Sequence, residues 1–143
     1  MERTNVTQVF AFVVGVVYLA VGVVGFAVTG FQGVVTNGNE ALLGFDLNIF
    51  HNIVHIAIGL GFLVVSRMDA VITQGVVIGG GLVYLLAAGL GFLNQLQILS
   101  IDSAVAPDNF LHLVSGSAAV LAGLIGARQT DEFFSNRRRA REA

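Results

Sequence analysis

The chain contains three histidines, and two of them close repeated groups of residues. One group reads His51-Asn52-Ile53-Val54-His55 and is followed by Gly59. The other reads Asp108-Asn109-Phe110-Leu111-His112 and is followed by Gly116. Residues four apart share one helix face, so His51 pairs with His55 and Asp108 with His112. Ionisable groups inside an apolar helix are costly and seldom face lipid, which makes them candidates for function. Three kinds of chemistry fit them. His55, His112, Asn52 and Asn109 can hydrogen-bond across helices and hold a bundle in register. His51, His55, Asp108 and His112 can supply three imidazoles and a carboxylate to a divalent metal such as Zn²⁺, Cu²⁺ or Fe²⁺, with the asparagines supporting the ligands rather than binding. His55 and His112 can also serve as axial ligands of a b-type haem, with Gly59 and Gly116 clearing space for the macrocycle.

Catalysis is less well supported. The chain has no Cys, which removes thiol catalysis, thiolate metal sites and disulfides. Ser115 and Ser117 lie in apolar sequence with no Ser, His and acid spacing of a hydrolase. Gly79-Gly80-Gly81 sits mid-segment, far from any strand or basic residue, and is not a phosphate loop. The reading leans away from an enzyme and leaves that question open.

The elements that would position these residues are apolar helices. Hydrophobic residues make up 55% of the 143 and charged residues 11%, too few for the surface of a soluble domain. Mean hydropathy is +0.83. Four stretches approach or exceed the ~20 residues needed to cross a bilayer: Val9–Phe31, Ile49–Ser66, Ala70–Asn94 and Pro107–Ala127. The first is too long for a signal-peptide core and is expected to be retained. The predicted fold class is an all-α membrane protein, with residues 1–130 forming the four-helix domain and 131–143 a basic tail.

All seven basic residues are Arg. Arg3 precedes the first span, Arg67 separates the second and third, and Arg128, Arg137, Arg138, Arg139 and Arg141 follow the fourth. The segments 32–48 and 95–106 carry Glu40, Asp46 and Asp102 but no basic residue. The positive-inside rule then places both termini and the Arg67 turn in the cytoplasm of a multi-pass cell-membrane protein. Asn5-Val6-Thr7, a glycosylation sequon by pattern, falls on the cytoplasmic side and reads as helix-start chemistry. The Arg tail suits anionic lipid or an acidic partner, but orientation alone is enough to explain it in a solvated tail that need not be ordered. The bilayer is the expected partner and nucleic acid is not; a homo-oligomer or a larger membrane complex is left open. Thr36-Asn37-Gly38-Asn39 marks a turn, in a loop read as a plain connector rather than a cap.

Self-comparison relates the halves, residues 9–67 and 70–128. Val17-Tyr18-Leu19 matches Val83-Tyr84-Leu85, Gly15 matches Gly81, and Gly25-Phe26 matches Gly91-Phe92. Two spans per unit make the repeats parallel, unlike the inverted repeats of transporters. Gly75-x-x-x-Gly79, the Ser115, Ala119, Gly123 series, and Gly15 with Gly22 offer faces for close helix packing.

The two boxes Asn52–His55 and Asn109–His112, with the glycines that follow, resemble a bacterial family of small four-helix membrane proteins classed as domain of unknown function 4383. The resemblance covers about residues 5–128. It implies the four-helix membrane fold and brings no activity, substrate or cofactor.

Helical rise puts Tyr18 within about 5 Å of the depth of His55, and Tyr84 similarly near His112. A packing role for His55, His112, Asn52, Asn109, Tyr18 and Tyr84 explains why the motif is duplicated without any ligand. It is the preferred reading.

Overall fold

A computed structural model of the chain describes residues 5–30, 34–35 and 41–142. Arg3, Glu40 and the Thr36–Asn39 turn signal lie outside these residues. Helix α1 (Val6–Thr29) opens on a capping box: Asn5 accepts from the Thr7 amide, and the Gln8 side chain accepts from the Asn5 amide at 2.9 Å. The sequon is therefore helix-start chemistry, as expected. A small antiparallel hairpin follows, β1 (Ala41–Leu42) and β2 (Phe45–Asp46), turning through Leu43 and Gly44 at positive φ. Helix α2 (Ile49–Val65) is capped by Asn48, which accepts from the His51 amide at 2.8 Å. Helix α3 (Ala70–Phe92) leads through a 3-10 turn at Gln97–Leu99 to helix α4 (Pro107–Glu142). Pro107 occupies the first helical position, where its missing N–H leaves nothing unpaired.

The helix starts and ends follow the four apolar stretches closely except at the C-terminus. α4 continues to Glu142 with no break, so the tail is helical rather than irregular. No Gly or Pro occurs after Gly126 to interrupt it. From Asp131 onward every described residue is exposed.

Among the described residues the secondary structure is α-helical apart from the hairpin, the 3-10 turn and an isolated bridge between Leu96 and Ile101. α1, α3 and α4 are long and apolar enough to cross a bilayer, and α2, at 17 residues, is a shorter apolar helix. The pattern of burial fits a protein in lipid. Buried polar residues outnumber buried hydrophobic ones, while Val13, Val17, Val23, Val64, Val83 and Leu86 point outward. A soluble domain would reverse this arrangement.

α1 packs chiefly on α2, and α3 on α4. Glycine sets both contacts. A Cβ on Gly15 would stand 2.9 Å from the Leu63 amide nitrogen, and one on Gly81 would stand 2.8 Å from the Gly116 carbonyl oxygen. Only a bare backbone fits there. Gly75 and Gly79 differ: nothing lies within 4 Å of a Cβ on either, so this predicted packing face has no partner among the described residues.

The loops at the other end of the bundle do more than connect the helices. Leu47, Leu96 and Ile101 are buried, and Asn48 donates to the Ile98 carbonyl at 2.9 Å. Residues 41–48 and 95–101 thus tie together over the start of α2. The plain-connector expectation is corrected for this segment: it is a cap, because Asn48 joins it to the second loop.

Candidate functional site

The two asparagines anchor the site. Asn52 on α2 donates to Thr29 Oγ1 on α1 at 2.9 Å, and that hydroxyl in turn donates to the Gly25 carbonyl at 3.0 Å. Asn109 on α4 donates to the carbonyls of Ser103 and Ala104 at 2.9 and 3.1 Å. The two Oδ1 atoms behave alike. Each fills the place a Cβ would take on the facing glycine, Gly25 for Asn52 and Gly91 for Asn109. Neither has an N–H or O–H partner. Their neighbours are glycine Cα–H groups, which are weak donors.

One turn further along each helix stands a histidine, with a tyrosine from the partner helix against it. Tyr18 and His55 meet edge-on, ring centroids 5.2 Å apart at 85°; Tyr84 and His112 meet at 5.2 Å and 87°. The tyrosines touch each other at 5.6 Å and join the two sets. His51 lies 4.4 Å from His55 and 6.5 Å from His112. The three histidines are 1%, 8% and 6% exposed for His51, His55 and His112, and the Nδ1 of each is without a hydrogen-bond partner. Buried nitrogens of this kind are rare and call for an explanation.

Not every candidate joins this layer. Asp108 is buried in the first turn of α4, where the helix N-terminus favours a carboxylate. Among the described residues, no group of three or more His, Asp and Glu side chains stands as a ready metal site. The four-ligand set His51, His55, Asp108 and His112 is therefore not preassembled.

The haem reading meets a steric obstacle. A Cβ on Gly59 would stand 2.8 Å from Leu19 Cα, and one on Gly116 would stand 2.8 Å from the Gly81 carbonyl oxygen. These glycines admit the neighbouring helix and leave no slot for a macrocycle between His55 and His112. The void beside Tyr18 and Tyr84, lined by Phe10, Phe62 and Ala119, measures about 20 Å³, room for a water molecule at most.

A second polar cluster, at the opposite end of the bundle, escaped the sequence reading. Asn5 donates to the Gly126 carbonyl at 2.9 Å and to Thr130 Oγ1 at 3.2 Å; Gln74 donates to the same hydroxyl at 2.8 Å. Thr7 donates to the Ala122 carbonyl at 2.9 Å, and Gln8 to the Met68 carbonyl at 2.8 Å. The only sequence signal was polar residues at helix ends, where they are ordinary. Ser115 donates to the Leu111 carbonyl within its own helix and has no catalytic partner.

These contacts tie together residues spread over almost the whole chain, and the family comparison covers the same extent. A family model described as Domain of unknown function (DUF4383) matches residues 8–125. The chain belongs to that family. The matched stretch takes in both Asn-x-x-His boxes and both tyrosines of this DUF4383 member. No curated protein and no solved structure matches the chain.

Proposed function

We propose that this DUF4383 protein is a four-span cell-membrane protein, not an enzyme, whose buried His, Asn and Tyr layer is an architectural lock within each of two helical hairpins, the two being joined through the Tyr18–Tyr84 contact. The observation that carries this is the near-identity of the two half-sites. Each pairs tyrosine with histidine at 5.2 Å and places asparagine over glycine. A ligand site would need such chemistry once, whereas a packing role needs it in each hairpin. An interhelical hydrogen bond such as that from Asn52 to Thr29 contributes about 0.6–2 kcal/mol in a membrane.

In this reading α2 is the fourth span. Its 17 residues cover about 25 Å, and the Asn48 cap and the Ser66–Met68 turn lengthen it toward the ~30 Å hydrocarbon core. Residues 9–67 and 70–128 form parallel repeats about a pseudo-twofold axis along the membrane normal. Residues 1–130 make the membrane domain and 131–143 a basic tail. The Arg distribution supports termini in the cytoplasm, which puts the histidine layer in the outer half of the bilayer.

Thermal denaturation in detergent tests the lock. His55→Gln and His112→Gln should each lower the melting temperature by a similar amount in metal-free buffer. Two unchanged melting curves would refute it.

A further inference from the structure

α4 outlasts the bundle, and its exposed end is sorted by face. Gly126 and Thr130 lie on the side of α4 turned to its neighbours: Gly126 meets Asn5 and Thr7 at the start of α1, and Thr130 accepts from Asn5 and Gln74. Residues three, four and seven apart share a helix face. Phe133 and Phe134 stand three and four residues beyond Thr130, Arg137 stands seven beyond it, and Arg141 four beyond Arg137. These four side chains continue the covered face of α4 past the point where its cover ends. Orientation in the membrane asks for arginines on one side of the bilayer but on no particular face of a helix. We propose that Phe133, Phe134, Arg137 and Arg141 form a docking face for an acidic helical segment of a water-soluble partner, seated against the end of the bundle.

Charge selects the partner. The acids of the segment, Asp131, Glu132 and Glu142, each stand three, four or seven residues from Arg138 or Arg139, and none stands so from Arg137 or Arg141. Arg137 and Arg141 are thus two like charges one turn apart, a spacing that destabilises a helix and that a partner's carboxylates would relieve. Aromatic rings accompany them. Phe133 and Phe134 are 43% and 58% exposed, and the Arg137 guanidinium lies 5.5 Å from the Phe133 ring centroid. Phe and Arg are enriched together at protein interfaces. The bilayer fits this face less well. The helix has no break, so Arg137 and Arg141 stand roughly 10 and 16 Å beyond Thr130, past a headgroup layer of about 5–8 Å. The face also looks across the end of the bundle rather than toward lipid. A second copy of the chain would set arginine against arginine.

The test uses the full-length protein in nanodiscs of phosphatidylcholine. The probe is a fluorescein-labelled peptide of repeated Glu-Leu-Ala-Ala, which aligns glutamates along one helix stripe with leucines beside them. This peptide should bind, and the version with glutamine for glutamate should not. Arg137→Gln combined with Arg141→Gln should weaken binding about fivefold to tenfold, as for two exposed ion pairs lost. Arg138→Gln combined with Arg139→Gln should change it by less than about twofold. The chain has no Trp, so Phe134→Trp gives a single reporter, whose emission should move to shorter wavelength when the peptide is added. Without peptide it should not move when phosphatidylglycerol is included in the nanodisc. Absence of peptide binding, equal binding of the glutamine peptide, or undiminished binding by the Arg137→Gln, Arg141→Gln variant would each overturn the site. A shift with phosphatidylglycerol alone would also overturn it, in favour of the bilayer, and a shift with rising protein concentration alone would do so in favour of a second copy. The substituted residues are all exposed, so the fold does not depend on them. The stability losses predicted for His55→Gln and His112→Gln stand or fall separately.

Discussion

The Asn52 side-chain oxygen occupies the place where a Cβ on Gly25 would stand, and Asn109 holds the same relation to Gly91. Each asparagine can sit there only because its partner position has no side chain.

Alanine at Gly25 or Gly91 must therefore displace the asparagine or push the helices apart. Each substitution should destabilise the protein by about 1–3 kcal/mol, the usual cost of overpacking. Chemical or thermal unfolding in detergent will measure it. Equal stability of Gly25→Ala and wild type would contradict the contact.

Gly75→Ala and Gly79→Ala provide the contrast. Nothing lies within 4 Å of the added methyl, and alanine is the better helix former. Both should be neutral or stabilising, by up to about 1 kcal/mol. A large loss of stability would mean that this face is covered in the assembled protein.

Asn5→Ala removes the first helix cap and two bonds from α1 to α4. A cap alone is worth about 1 kcal/mol, and the loss here should exceed that. Hydrogen exchange should rise first in the opening turn of α1. If protection there is unchanged, the end cluster is not holding the helix.

The absence of cysteine makes topology easy to probe. Ser103→Cys and Ser135→Cys both place a thiol at an exposed position. With cytoplasmic termini, a membrane-impermeant maleimide should label residue 103 in intact cells and residue 135 only after permeabilisation. The reverse pattern would invert the orientation.

Which parts of this structure could be read from the sequence follows from how local each signal is. Hydropathy runs give helix positions because every residue of a span contributes to the same average. The Tyr18–His55 and Tyr84–His112 pairs were within reach because helical rise converts residue counts into depth. The Asn–Gly contacts were not, although all four residues belonged to the recognised repeat. Depth does not say which way a helix is rotated, and rotation decides whether Asn52 faces Gly25. Rotation also separates Gly75 and Gly79, which resemble a packing motif and meet nothing among the described residues, from Gly81, which packs tightly. The Asn5, Gln74 and Thr130 cluster joins three distant segments, none of which is unusual alone. Asp108 was drawn to the histidines by symmetry, but among the described residues no metal-holding group of His, Asp and Glu forms.

α4 carries one more consequence. Its first part is gripped by α3 through Gly81 and Gly116, and its last twelve residues, 131–142, stand clear of every other helix. At 1.5 Å per residue the free part reaches about 18 Å from the bundle. A tilt of roughly 10° about Gly116, about 39 Å from the tip, would swing the tip by about 7 Å. The helix is a lever: a small change in how α3 and α4 mesh inside the lipid becomes a larger displacement of four arginines outside it.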